Sequence, residues 1–260
     1  MRLARRLSRG FAGSYGASFL DELEAGSTRS ARRIVPLVAR LVRPRSVVDV
    51  GCGTGGWLGA FRDAGVTDIF GIDGPWVEPR KLAIAAEHFS SRDLRAPFQL
   101  ERQFDLAISL EVAEHLPAAS ADGFVASVAA LAPVILFSAA IPGQRGAHHV
   151  NEQWPDYWLR RFEAKGFTAI DCIRPAFWDD PDVEFWYAQN AFLLVRAQRL
   201  PELPELAGLD RAPRQMLRAV HPRLWADRAG LGTARPPGLL PRGLLRHVAA
   251  LARRRPGKEI

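Results

Sequence analysis

SVVDVGCGTGG, residues 46–56, joins a short β-branched run to four glycines, Gly51, Gly53, Gly55 and Gly56. Val47, Val48 and Val50 on a five-residue run predict a strand buried on both faces. Glycines at its end allow a tight turn, and their missing Cβ lets a ligand approach the backbone where the next helix begins. Upstream, Ala31, Ile34, Val35, Val38 and Leu41 recur at helical spacing within 28–41, and Pro44 stops that helix. Downstream, the patterns alternate: a helix at 57–64, strand TDIFGID (67–73), a helix near Pro79–Glu87, a short strand before Asp93, strand FDLAISL (104–110), a helix at 121–131 and strand PVILFSA (133–139). This rhythm predicts an α/β fold with a parallel sheet and helices on both faces.

A helix at 154–165 and strands at 167–173 and 190–196 complete the series. The link between these two strands, RPAFWDDPDVEFWYAQ, shows no strong helical pattern, so the last strand is expected to run antiparallel at the sheet edge. The expectation is a Rossmann-like, doubly wound seven-stranded sheet over residues 28–198. A basic segment, 1–27, precedes it, and a Pro- and Arg-rich appendage, 199–260, follows.

The 260 residues carry a net charge of +7, unevenly placed: +7 over 1–45, −8 over 46–198 and +8 over 199–260. An acidic middle argues against a nucleic-acid-binding core, and the basic ends are expected to serve docking to a membrane surface or a protein. Two cysteines, Cys52 and Cys172, are too few for a disulfide framework and point to a reducing, cytoplasmic setting. In the C-terminal PRGLLRHVAALARRRPG, Leu244, Leu245, Val248 and Leu251 recur at roughly helical spacing among arginines.

Gly51, Gly53 and Gly56 also satisfy the dinucleotide pattern GxGxxG, and Asp73, 22 residues after Gly51, is placed to bind a ribose in either reading. The full set, DVGCGTGGW, GIDG, SSRDL and FDLAISLEVAEHLP, resembles in order and spacing the class I S-adenosylmethionine-dependent methyltransferases. That resemblance implies that Asp49, Gly51, Gly53 and Gly55 line the methionine part of S-adenosylmethionine and that Asp73 holds the ribose. It also puts Asp93 and Leu94 near the adenine, and Leu110 with Glu111 beside the sulfonium. No Lys or Arg occurs between 46 and 61, in keeping with a ligand that lacks phosphate. The alternatives are an NAD-dependent oxidoreductase and a cofactor-binding module without catalysis.

Methyl transfer to a hydroxyl needs an in-line acceptor and is helped by a base. AIPGQRGAHHVNEQWPDYW follows the fifth strand, on the edge where doubly wound sheets bind ligands. His149 is the preferred general base, with His148 and His115 as alternatives, and Asn151 or Glu152 could orient a histidine. Glu111, Glu114 and His115, at i, i+3 and i+4, would share one helical face as metal candidates, but no metal is expected. HHVNEQWPDYW with WYAQN looks like a bacterial group associated with sugar or glycan modification. The expected reaction is therefore O-methylation of a small hydroxylated molecule such as a sugar or glycan precursor.

Overall fold

The computed structural model describes residues 17–209 and 216–231, with side chains from residue 24 onward. The basic residues before 17 and the C-terminal amphipathic run lie outside them.

Helix α1 (Ala17–Val42) begins eleven residues before the expected start at Thr28 and precedes β1 (Ser46–Val50). Its Ala31, Ile34, Val35 and Val38 are completely or almost completely buried. Burying side chains of this size contributes about 1.5–3 kcal/mol each for the Ile and Val positions. Ile34→Ala would cost roughly 2–5 kcal/mol, because a cavity adds to the lost transfer energy. The chain continues through α2 (Gly56–Asp63), β2 (Asp68–Asp73), β3 (Phe89–Ser91), β4 (Leu106–Leu110), α3 (Ala121–Leu131), β5 (Val134–Ser138), α4 (Pro155–Glu163) and β6 (Phe167–Ile170). Two short helices, α5 (Arg174–Phe177) and α6 (Phe185–Asn190), lead to β7 (Phe192–Arg196).

All seven strands form one sheet in the order β3-β2-β1-β4-β5-β7-β6. β1 to β5 pair in parallel, and β7 runs antiparallel to both β5 and β6. The doubly wound sheet with an antiparallel seventh strand is therefore present as expected. One core cluster joins α1, α2 and α6 to one face, and a second joins α3 and α4 to the other. β1 and β4 are neighbours although β2 and β3 come between them in the chain. This reversal of strand order opens a crevice at the carboxyl ends of the strands, where such sheets bind ligands.

Two local expectations fail. No α-helix forms at Pro79–Glu87, where only the single 3₁₀ turns Pro79–Lys81 and Ala86–His88 occur. Between them the Ala83 N–H donates to Thr54 O at 2.7 Å, so this backbone braces the glycine loop instead of closing a helical turn. The link between β6 and β7 does hold helices, α5 and α6, each too short to leave a periodic pattern. Its acids Asp180 and Glu184 are paired with Arg33 and Arg29 of α1 at 2.8 and 2.9 Å. They serve as a clasp for that helix.

Residues after β7 pack back on the sheet. α7 (Pro204–Ala207) buries Leu206, and α8 (Pro222–Arg228) buries Leu224. Among the described residues, no helix is long and apolar enough to cross a membrane.

Candidate active site

The loop after β1 turns on left-handed glycines. Gly51 has φ +87°, and a Cβ there would lie 2.3 Å from Val112 Cγ2, so only glycine fits. Gly53 has φ +53°, and nothing lies within 4 Å of where its Cβ would be. That gap is open space against the backbone, suited to a ligand. Gly55, also left-handed, is the N-cap of α2.

Two buried carboxylates flank the loop. Asp73, at the end of β2, accepts from the Gly53 N–H at 2.7 Å and from the Gly74 N–H at 2.6 Å, one on each oxygen. With the Trp76 side chain as a third donor, the carboxylate keeps about one of its four acceptor sites for a ligand hydroxyl. Burial pushes the Asp73 carboxyl above the usual range, opposed by hydrogen bonds from Gly53, Gly74 and Trp76. Asp49, on β1, is 4% exposed, and no described residue donates a hydrogen bond to its carboxyl. Burial, and then the charge of Asp73, push its carboxyl well above the ordinary range. A cationic ligand group would relieve both costs. A carboxylate without a protein donor, an open glycine cradle and a second carboxylate at the strand end together fit a donor set for an ammonium and a ribose, as S-adenosylmethionine presents.

Leu94 and Leu110 are buried in the core. Asp93 is exposed after β3, where it binds the Arg95 guanidinium and backbone N–H, and that pairing lowers its carboxyl. Trp76 lies over Gly74, with its ring atoms 2.1–2.3 Å from a Cβ position there. Glu111 has left-handed backbone, φ +55°, and turns into a buried amide cluster. Gln144 Nε2 donates to it at 2.7 Å and Asn190 Nδ2 at 3.1 Å. Gln189 extends the cluster by donating to Gln144 Oε1 and to Asn190 Oδ1. Burial pushes Glu111 up to about 7 despite these donors.

The histidines gather beside it. His149 Nδ1 lies 2.8 Å from Glu152 Oε1, and Glu152 also accepts from the N–H groups of Gly143 and Arg145 at 2.8 and 2.6 Å. Glu152 therefore ties the loop together and fixes the tautomer that leaves Nε2 as an acceptor. The His115 and His149 rings meet edge to face, with centroids 4.8 Å apart. Burial, and then the charge of His149, hold His115 down to about 4, so it is neutral at pH 7. His148 is exposed with φ +61°.

Glu114 is completely buried, and neither carboxylate oxygen makes a hydrogen bond of ordinary geometry. Burial, then the charge of Glu111, push it well above the carboxylate range. One ligating atom each from Glu114, His115 and His149 lie within 4.8 Å of one another. This trio differs from the expected Glu111, Glu114 and His115, because Glu111 is turned into the amides. Gln144, Gln189 and Asn190 were not expected at the site. Glutamine and asparagine carry no periodic signal, and 45 residues separate Gln144 from Gln189.

A family described as a methyltransferase domain matches residues 24–173. No curated protein matches significantly. Among solved structures, the amino pentose methyltransferase CalS10 of Micromonospora echinaspora, with SAM bound, is 18% identical, with 70% of this chain and 98% of that one covered and a TM-score of 0.50. DesVI of Streptomyces venezuelae is 17% identical over 69% and 97% at TM-score 0.49. The magnesium protoporphyrin IX methyltransferase of Synechocystis, with bound SAM, is 20% identical over 74% and 90% at TM-score 0.47. The family match displaces the oxidoreductase alternative. With more than half of its residues matched, the chain belongs to the methyltransferase-domain family and is a class I S-adenosylmethionine-dependent methyltransferase.

Proposed function

We propose that this methyltransferase acts on a hydroxyl of a small polyhydroxylated molecule, such as a sugar or glycan precursor, with His149 as the proton acceptor. The observation that carries this reading is the 2.8 Å contact between His149 Nδ1 and Glu152. Held that way, the ring keeps Nε2 as the basic nitrogen, 3.9 Å from Glu114 Oε1, on a side chain that is 12% exposed. The donor supplies an already electrophilic methyl group, so the protein's contribution is placement and proton removal. In this reading Asp49 meets the donor's ammonium, Asp73 its ribose and Gly53 its methionine chain, while Asp93 and Leu94 lie toward the adenine. Gln144 and Asn190 hold Glu111 beside Leu110 near the reacting end. His115, kept neutral, packs against the base and does not compete with it.

Such an acceptor agrees with the amino pentose named for one structure of the same fold. Free, buried Cys52 and Cys172 favour a reducing, cytoplasmic setting. The test supplies radiolabelled S-adenosylmethionine with sugar and glycan-precursor pools. Label transferred as an O-methyl ether by the wild type, and lost in His149→Gln, supports the reading. Label on nitrogen, or an undiminished rate in His149→Gln, overturns it.

A second reading rests on the Glu114, His115 and His149 trio. Its buried carboxylate without hydrogen bonds and its two imidazoles fit a divalent transition-metal ion. Such an ion would polarise the acceptor hydroxyl, and Glu152 would then orient a metal-binding His149.

A further inference from the structure

Six large apolar side chains are exposed among the described residues, and four of them, Met216, Val220, Trp225 and Leu231, fall in one stretch of 16 residues. The stretch is firmly attached. Leu217 and Leu224 are buried, and Arg174 Nη2 donates to Met216 O at 2.8 Å. The His221 N–H donates to Gln189 Oε1 at 2.8 Å, and Arg228 donates to the carbonyl of Gln144, on the loop that carries His149. A well-anchored element that keeps Trp225 61% exposed marks a contact surface.

Its charges indicate what it contacts. Arg218, Arg223 and Arg228 alternate with the apolar side chains, and their ion pairs to Asp156, Glu184 and Asp227 are long, at 3.5, 3.8 and 3.4 Å. Residues 232–260 follow with seven basic and one acidic side chain. A second copy paired through the same stretch would bring like charge to like charge. A nucleic acid would engage the arginines and leave the aliphatic side chains in water. An anionic lipid surface accepts both, with arginines at the phosphates and tryptophan and leucine at the acyl boundary.

We propose that residues 216–231 dock the protein peripherally on an anionic lipid surface and so bring the His149 loop to the lipid head groups. This rests on no feature of the methyl-donor site. The test is co-sedimentation of the full chain with vesicles of phosphatidylcholine alone or mixed with phosphatidylglycerol, for the wild type and for Trp225→Ser with Leu231→Ser. The wild type should pellet only with the anionic vesicles. The double variant should bind them about tenfold or more weakly, since two interfacial anchors are gone. Both side chains are exposed, so its melting temperature and its binding of S-adenosylhomocysteine should not change. The latter readout separates failure here from failure of the methyl-donor reading. Equal binding by the double variant, equal binding to neutral vesicles, or a wild-type dimer that the double variant abolishes and that ignores vesicles would overturn the proposal.

Discussion

Asp49→Asn should make the free protein more stable and its cofactor complex weaker. The carboxyl lies on β1 at 4% exposure without a hydrogen bond from the described residues, and the charge of Asp73 acts on it. An unsatisfied buried polar group costs about 1–3 kcal/mol, and more when charged. Neutral asparagine removes the charge but stays polar, so it should recover only part of that cost, about 1 kcal/mol. For a domain of this size each 1 kcal/mol moves the midpoint by about 2–4 °C, so a rise of that size is expected. The folded carboxyl is pushed up, so the native state binds the proton more tightly than the unfolded chain does. Wild-type stability from this group therefore falls as pH rises from the unfolded value toward the folded one. The advantage of Asp49→Asn should shrink as pH is lowered through that window. With S-adenosylhomocysteine the order should reverse, since a bound ligand stabilises in proportion to its affinity and the variant has lost the partner of the ammonium. Thermal denaturation of both proteins, with and without ligand, across a pH series reads all three effects. An unchanged or lowered midpoint in the free variant, or an undiminished ligand shift, would refute the reasoning.

Gly53→Ala should cost about 1 kcal/mol from its positive φ, yet lower donor affinity more than tenfold because the methyl fills the open cradle; calorimetric titration with S-adenosylhomocysteine checks it. Gly51→Ala, which meets Val112, should instead lower the melting temperature. Glu152→Gln should slow turnover about 10–100-fold with donor affinity unchanged, because it frees His149 and unties the 143–152 loop; equal kcat in a radiolabel assay would contradict this. Dialysis against a chelator separates the two acceptor-side readings. Activity lost and restored by a divalent transition metal favours the Glu114, His115 and His149 ion, and full activity without metal favours His149 as base.

Strand positions were legible because short apolar runs rich in β-branched or aromatic residues, such as Ser46–Val50 and Val134–Ser138, stand out between turns. The glycine loop and Asp73 were legible for the same local reason: a turn and a strand-end acid each announce themselves in a few letters. The pairing of His149 with Glu152 spans three residues and could be read as well. What failed was decided at a distance. Residues 79–87 have helical composition, but their backbone is spent on Thr54. The amide cluster joins Glu111 to Asn190 across 79 residues, with no pattern to betray it. Glu111, placed beside the sulfonium by the family resemblance, has left-handed backbone and bonds to Gln144, a partner that no local pattern announces. The basic ends looked separate from the fold, yet residues 216–231 bond to the loop beside the histidines.

The most direct measurement is calorimetric titration of the full chain with S-adenosylhomocysteine, for the wild type, Asp73→Ala and Asp73→Asn. Saturable binding by the wild type is expected, weakened about tenfold to a hundredfold in both variants, as the loss of charge-assisted hydrogen bonds to the ribose requires. No heat from the wild type, or affinity unchanged in the variants, would contradict the assignment of this crevice to the methyl donor.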